Sequence, residues 1–102
     1  MKTATVETWQ EDVLDNPLVL VNFYASWSSS YGPQLSVLEQ LEADVALLSV
    51  VNVDANKELE ASVWSGVSTT PTLVLYKNGE KVWALEGGKP RGVLLTEIAP
   101  YV

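Results

Sequence analysis

Two nearly uninterrupted apolar runs, LVLVNFYA (18–25) and LLSVVNVD (47–54), constrain this chain more than any other feature. Both are rich in β-branched residues and neither alternates cleanly with polar ones, so each reads as a strand covered on both faces. Between them lies PQLSVLEQLEADV, in which Leu35, Leu38, Leu41 and Val45 recur at helical spacing and Pro33 suits a first helical position. A buried strand, a helix and a second buried strand make a parallel crossover.

The rest of the chain extends that unit. TATV (3–6) is a short strand, and ETWQEDVL after it is a helix with Thr8 and Glu11 in capping-box spacing, broken by Asn16-Pro17. NKELEASVWSG (56–66) reads as a helix closed by Gly66. TLVLY (72–76) and EKVWALE (80–86) flank Lys77-Asn78-Gly79, a hairpin turn. Pro90 opens a last helix carrying Val93, Leu94 and Ile98. The order β-α-β-α-β-α-β-β-α requires a mixed central sheet with helices on both faces, an α/β architecture.

No linker, repeat or low-complexity segment divides the 102 residues, so the expectation is one domain over residues 1–102. Apolar residues make up 47% of the chain, enough for a core without covalent staples. There is no cysteine and no histidine. Thiolate chemistry, disulfides and sulfur-ligated metals are therefore excluded, and the commonest general base and metal ligand are missing. No cofactor and no metal are expected. The net charge of −7 disfavours nucleic acid and anionic membrane surfaces as partners. MKTATVETWQEDV has no apolar signal region, and no apolar run is long enough to span a bilayer, so a cytoplasmic location is expected.

The wording of three segments resembles the thioredoxin family, and the likeness runs over essentially the whole chain. LVLVNFYASW is similar to that family's strand leading into its W-C-G-P-C motif, with Phe23 and Trp27 in place. VSTTPTLVLYKNGE is similar to the strand the family enters through a cis-proline, and EGG with the last helix follows in the expected position. The resemblance implies a thioredoxin fold, a five-stranded sheet of order 1-3-2-4-5 flanked by four helices, and Pro71 as the cis-proline.

It also implies what is missing. Ser28 stands where the family has its nucleophilic cysteine, and Tyr31 where it has the resolving one. Asn22 occupies the place of the buried aspartate, and Val50 that of its lysine partner on the next strand. A serine hydroxyl cannot form a mixed disulfide, and an amide cannot take the proton. Ser28 as a new nucleophile would need a base that this composition does not supply.

The family's peptide-binding groove is retained in outline. Trp27 would form an apolar wall beside a Ser28–Tyr31 loop that includes Ser29 and Ser30. Thr70, before Pro71, would offer its backbone to an extended segment, and Gly87 with Gly88 would admit a second backbone. Glu86 departs from the family, which favours an apolar residue there.

Three readings stand open. The first is a redox-inactive polypeptide-binding module, an adaptor or holdase. The second is a thiol-disulfide oxidoreductase whose cysteine at position 28 has been replaced by serine. The third is a subunit that uses the fold for assembly. Because Pro33 lies five residues after Ser28, residues 28–31 are expected to be irregular or a single turn, with the helix starting at Gly32 or Pro33 and the Tyr31 ring pointing outward or over the groove.

Overall fold

The structure is a computed structural model that describes residues 1–25, 27 and 31–102. Its strands are β1 (Lys2–Thr3), β2 (Leu18–Tyr24), β3 (Leu48–Asp54), β4 (Thr72–Lys77) and β5 (Glu80–Glu86). They form one sheet in the order β1-β3-β2-β4-β5. The apolar runs lie side by side and parallel, from Leu18 opposite Leu48 to Tyr24 opposite Asp54. β4 returns antiparallel along the other side of β2, and β5 pairs antiparallel with β4. This is the mixed five-stranded sheet expected, in the order expected.

Among the described residues, four helical segments flank it: a π-helical turn at Gln10–Leu14, α1 (Tyr31–Asp44), α2 (Leu59–Ser65) and α3 (Arg91–Ile98), with a 3-10 turn at Ala99–Tyr101 after the last. The continuous hydrophobicity of β2 has its cause here. Val19, Val21 and Phe23 pack with Trp9, Val13 and Ala61 on one face, while Leu18 and Leu20 pack with Leu38, Leu41, Leu94 and Ile98 on the other. Both faces of the strand are dry, so both registers of the alternation are apolar except at Asn22, whose buried amide is paired with Asn52. Removing a buried leucine such as Leu38 would cost about 2–5 kcal/mol in transfer and cavity terms. The edges are blunted: β1 has only two residues, and β5 carries Glu80, Lys81 and Glu86.

Several expectations shift. β1 is Lys2–Thr3 rather than 3–6, and its pairing is continued only by the Ala4 N–H bonded to the Asn52 carbonyl at 2.9 Å. The first helical segment is capped not by Thr8 and Glu11 but by a reciprocal pair one turn earlier. The Thr5 N–H donates to Thr8 Oγ1 at 2.9 Å, and the Thr8 N–H to Thr5 Oγ1 at 3.3 Å. α2 starts at Leu59 instead of Asn56, because Asp54 Oδ1 accepts the Asn56 N–H at 3.0 Å and holds that stretch in a turn. It ends as expected at Gly66, which has φ of 70°. Val93 is exposed, Leu94 and Ile98 of α3 are buried in the core, and Leu95 packs against it half-buried.

The expectation for residues 28–31 is corrected at Tyr31, which is already helical. Its remainder, Ser28 to Ser30, lies outside the described residues. Pro33 is the third residue of the described helix, and a proline in the first turn removes no intrahelical bond because the first four N–H groups have none.

Candidate functional site

The carboxyl ends of β2 and β3 and the entrance to β4 gather most of the singled-out residues at one end of the sheet. Trp27 follows β2 and is 76% exposed. Tyr31 opens the described part of α1 and stacks on Tyr24 at the end of β2, with centroids 4.7 Å apart and planes 27° from parallel. The ring thus lies on Tyr24 rather than free in solvent. Partial burial, then the Tyr31 hydroxyl and the Asp54 carboxylate, push the Tyr24 phenol above its ordinary pKa.

The Thr70–Pro71 peptide bond is cis. Around it two bonds fix the stretch before β4 to the end of β5 and the glycine after it, and a third, between Thr72 and Thr69, braces that stretch on itself. The Pro71 carbonyl accepts the Gly87 N–H at 2.8 Å, the Thr72 hydroxyl donates to the Thr69 carbonyl at 2.7 Å, and the Thr69 hydroxyl donates to Glu86 Oε2 at 2.6 Å. Among the described residues no backbone bond takes the N–H or carbonyl of Thr70, which is exposed. Gly87 has φ of 82°, a conformation that requires glycine there, whereas the space a Cβ would enter is open except for Lys89 Nζ at 3.7 Å.

The groove residues do not share one concavity. Thr69 and Thr70 line a hollow of about 480 Å³ with Leu59, Val63 and Val67 from the α2 side. Gly88 lines a shallower one of about 250 Å³ with Pro33, Gln34 and Val37 from the α1 side. Ser28, Ser29 and Ser30 lie outside the described residues.

Asn22 is 1% exposed in the middle of β2. The side chain that meets it is that of Asn52, its register partner on β3, whose Oδ1 accepts from Asn22 Nδ2 at 3.0 Å. Val50 lies two pairs back, opposite Leu20 and fully buried. Asn22 Oδ1 has no partner among the described residues. The pair is neutral, and it holds no proton to give or take near neutral pH.

One residue that sequence reasoning passed over helps shape the site. Gln34, 5% exposed on α1, donates to the Lys89 carbonyl at 3.1 Å and accepts the Lys89 N–H at 2.7 Å. This two-point clasp fastens the loop after β5 to the start of α1. Gln34 falls at the helical spacing of the buried Leu38 and Leu41, which marks an inward polar side chain but not the partner it finds. Among the described residues no group of three or more acidic side chains is placed to hold a metal ion. No described helix is long and apolar enough to cross a membrane.

The sheet order, the helix placement and the proline entrance to β4 together define a thioredoxin-fold protein. Comparison with known proteins agrees. The family model described as Thioredoxin matches residues 1–100, and the chain belongs to the thioredoxin family. Thioredoxin of Mycobacterium tuberculosis is 33% identical over 107 residues, spanning 99% of this chain and 92% of the relative. That of Alicyclobacillus acidocaldarius is 32% identical over 100 residues, spanning 95% and 93%. A solved structure of a mutant thioredoxin from Halobacterium salinarum superposes with a TM-score of 0.90 at 27% identity, covering 99% of this chain and 88% of that one.

Proposed function

We propose that this thioredoxin-family chain is a redox-inactive module that binds a polypeptide partner, as an adaptor or holdase. The observation that carries this reading is the pairing of an intact frame with absent chemistry. The chain has no cysteine, yet the loop bearing Thr70 and the cis Pro71 is held by the Gly87 and Glu86 contacts, Thr70 is exposed, and Trp27 after β2 is exposed as well. An exposed backbone edge suits an extended segment that adds main-chain hydrogen bonds, and an exposed indole suits a side chain it can bury. Trp27, Thr70, Pro71 and Gly87 would form the contact, with Ser28 to Tyr31 beside them.

The test is a titration of the isotopically labelled chain with an unfolded, carboxymethylated polypeptide, which has no free thiol to confuse binding with exchange. The Thr70 amide and the Trp27 indole signals should shift saturably, and Trp27→Ala should weaken the binding about tenfold, as for an exposed aromatic anchor. No shift at either position overturns the reading.

A second reading, a replaced cysteine at position 28, draws on α1. Its helical geometry already includes Tyr31, upstream of Pro33, so the helix approaches position 28 more closely than Pro33 alone implies. The native codon at that position decides between the two.

A further inference from the structure

α2 is built inside out. It buries Ala61, Ser62 and Ser65 against the sheet and exposes Leu59, Val63 and Trp64, at 61%, 77% and 52%. Trp64 is partly engaged, its ring 5.9 Å from that of Trp9. Leu59 and Val63, four residues apart on one helical face, instead line the hollow that runs to Ser68, Thr69 and Thr70. At the far side of Thr69 stands the exposed carboxylate of Glu86, held by the Thr69 hydroxyl at 2.6 Å. An aliphatic wall, a backbone edge and a carboxylate thus follow one another across a few residues.

The charges bordering this surface are unequal. The segments that carry it hold four carboxylates, Asp54, Glu58, Glu60 and Glu86, against the two ammonium groups of Lys57 and Lys89. Glu58 accepts the Val6 N–H, and Lys89 Nζ rests on the Glu86 carbonyl at 2.7 Å rather than on its carboxylate. A second copy of a chain carrying −7 would bring like charge to like. An extended segment paired along Thr70 turns successive side chains to opposite sides, one toward the α2 wall and the next toward Glu86.

We propose that this surface selects polypeptide segments in which a large aliphatic side chain, seated against Leu59 and Val63, is neighboured by a lysine or arginine that meets Glu86. The inference rests on the polypeptide-binding reading above and adds the chemistry of the segment.

The test uses three fluorescent peptides that alternate leucine with arginine, serine or glutamate, followed by anisotropy at low salt. The arginine peptide should bind about three- to fivefold more tightly than the serine peptide, as a partly exposed charge pair allows, and the glutamate peptide most weakly. Glu86→Gln, which keeps an oxygen to accept the Thr69 hydroxyl, should erase the arginine preference, read as the ratio of the arginine to the serine affinity in the same variant. Glu80→Gln, at the opposite end of β5, should leave the preference intact. Val63→Ser should weaken the arginine and serine peptides alike. Equal binding of all three peptides, or a preference that survives Glu86→Gln, overturns the charge selection while leaving polypeptide binding standing. No binding of any peptide removes both readings. A dimer in sedimentation that Val63→Ser dissociates and peptides do not displace gives the surface to a second copy and overturns the proposal.

Discussion

Asn22 shows what one atom of difference does at a buried position. The side chain is 1% exposed, donates to Asn52 Oδ1 at 3.0 Å, and leaves its own Oδ1 without a partner among the described residues. An orphaned buried acceptor costs about 1–3 kcal/mol, yet an ionised carboxylate in the same place would cost more. Asn22→Asp should therefore be tolerated only as the neutral acid, whose O–H can replace the amide donor. Burial would raise its folded pKa above the unfolded value of about 3.9. A group raised in this sense keeps its stability below the unfolded pKa and loses it as pH climbs toward the folded one. Urea unfolding should find the variant close to the parent at acidic pH. Once both states ionise, it should be weaker by about 1.4 kcal/mol for every tenfold gain in proton affinity that folding imposes on the carboxyl. A difference between the two proteins that is constant with pH would show that the site admits enough water to ionise freely.

At the scale of elements, two glycines of opposite character provide a test. Gly79 turns the β4–β5 hairpin with φ of 81°, after Asn78 at φ of 51°, and a Cβ there would stand 2.9 Å from the Leu14 carbonyl oxygen. Gly79→Ala should destabilise by about 1–3 kcal/mol, since neither the dihedral nor the neighbouring backbone can give. Gly32, in the first turn of α1 with nothing within 4 Å, should do the reverse, and Gly32→Ala should stabilise by about 0.5–1 kcal/mol. Thermal melts of the two variants read the contrast directly, and two shifts of the same sign would contradict it. These turns also mark what was legible. Asn78-Gly79 and Gly66 were readable because the dihedral restricts the residue, and β2 because burial on two faces leaves one kind of sequence. The clasp of Gln34 on Lys89 was not, because its partner is a backbone group 55 residues away. Nor was the Thr5–Thr8 cap, because Thr8 also matched the spacing to Glu11 and sequence does not say which turn a hydroxyl will close. The outward face of α2 escaped for a related reason. Periodicity locates an apolar face, but not whether the sheet or the solvent receives it.

For the whole molecule the question is whether the scaffold could still carry the chemistry its family is built for. As written, the chain should leave dithiothreitol-coupled insulin reduction at the uncatalysed rate, because exchange needs a thiolate to attack and a second thiol to release the mixed disulfide. Restoring the pair as Ser28→Cys with Tyr31→Cys puts thiols three positions apart, and they can close if their Cα atoms lie about 4.4–6.8 Å apart. The second substitution also removes the ring that stacks on Tyr24. Activity should return but stay low, since the neutral Asn22–Asn52 pair supplies no proton acceptor. Adding Asn22→Asp should then raise the rate at neutral pH, where a carboxyl with an elevated pKa is best matched to proton transfer. The same substitution destabilises the fold in the same pH range, through the proton linkage of a buried carboxyl. The triple variant should therefore be more active than the double and less stable than it at pH 7–8, with the stability gap closing toward acid. Parallel insulin-reduction and urea-unfolding series on the two variants measure both quantities. A double variant already as fast as an ordinary thioredoxin would show that Asn22 is not part of the disarming. A triple variant that gains rate without losing stability would show that the carboxylate finds a partner the buried amide pair does not reveal.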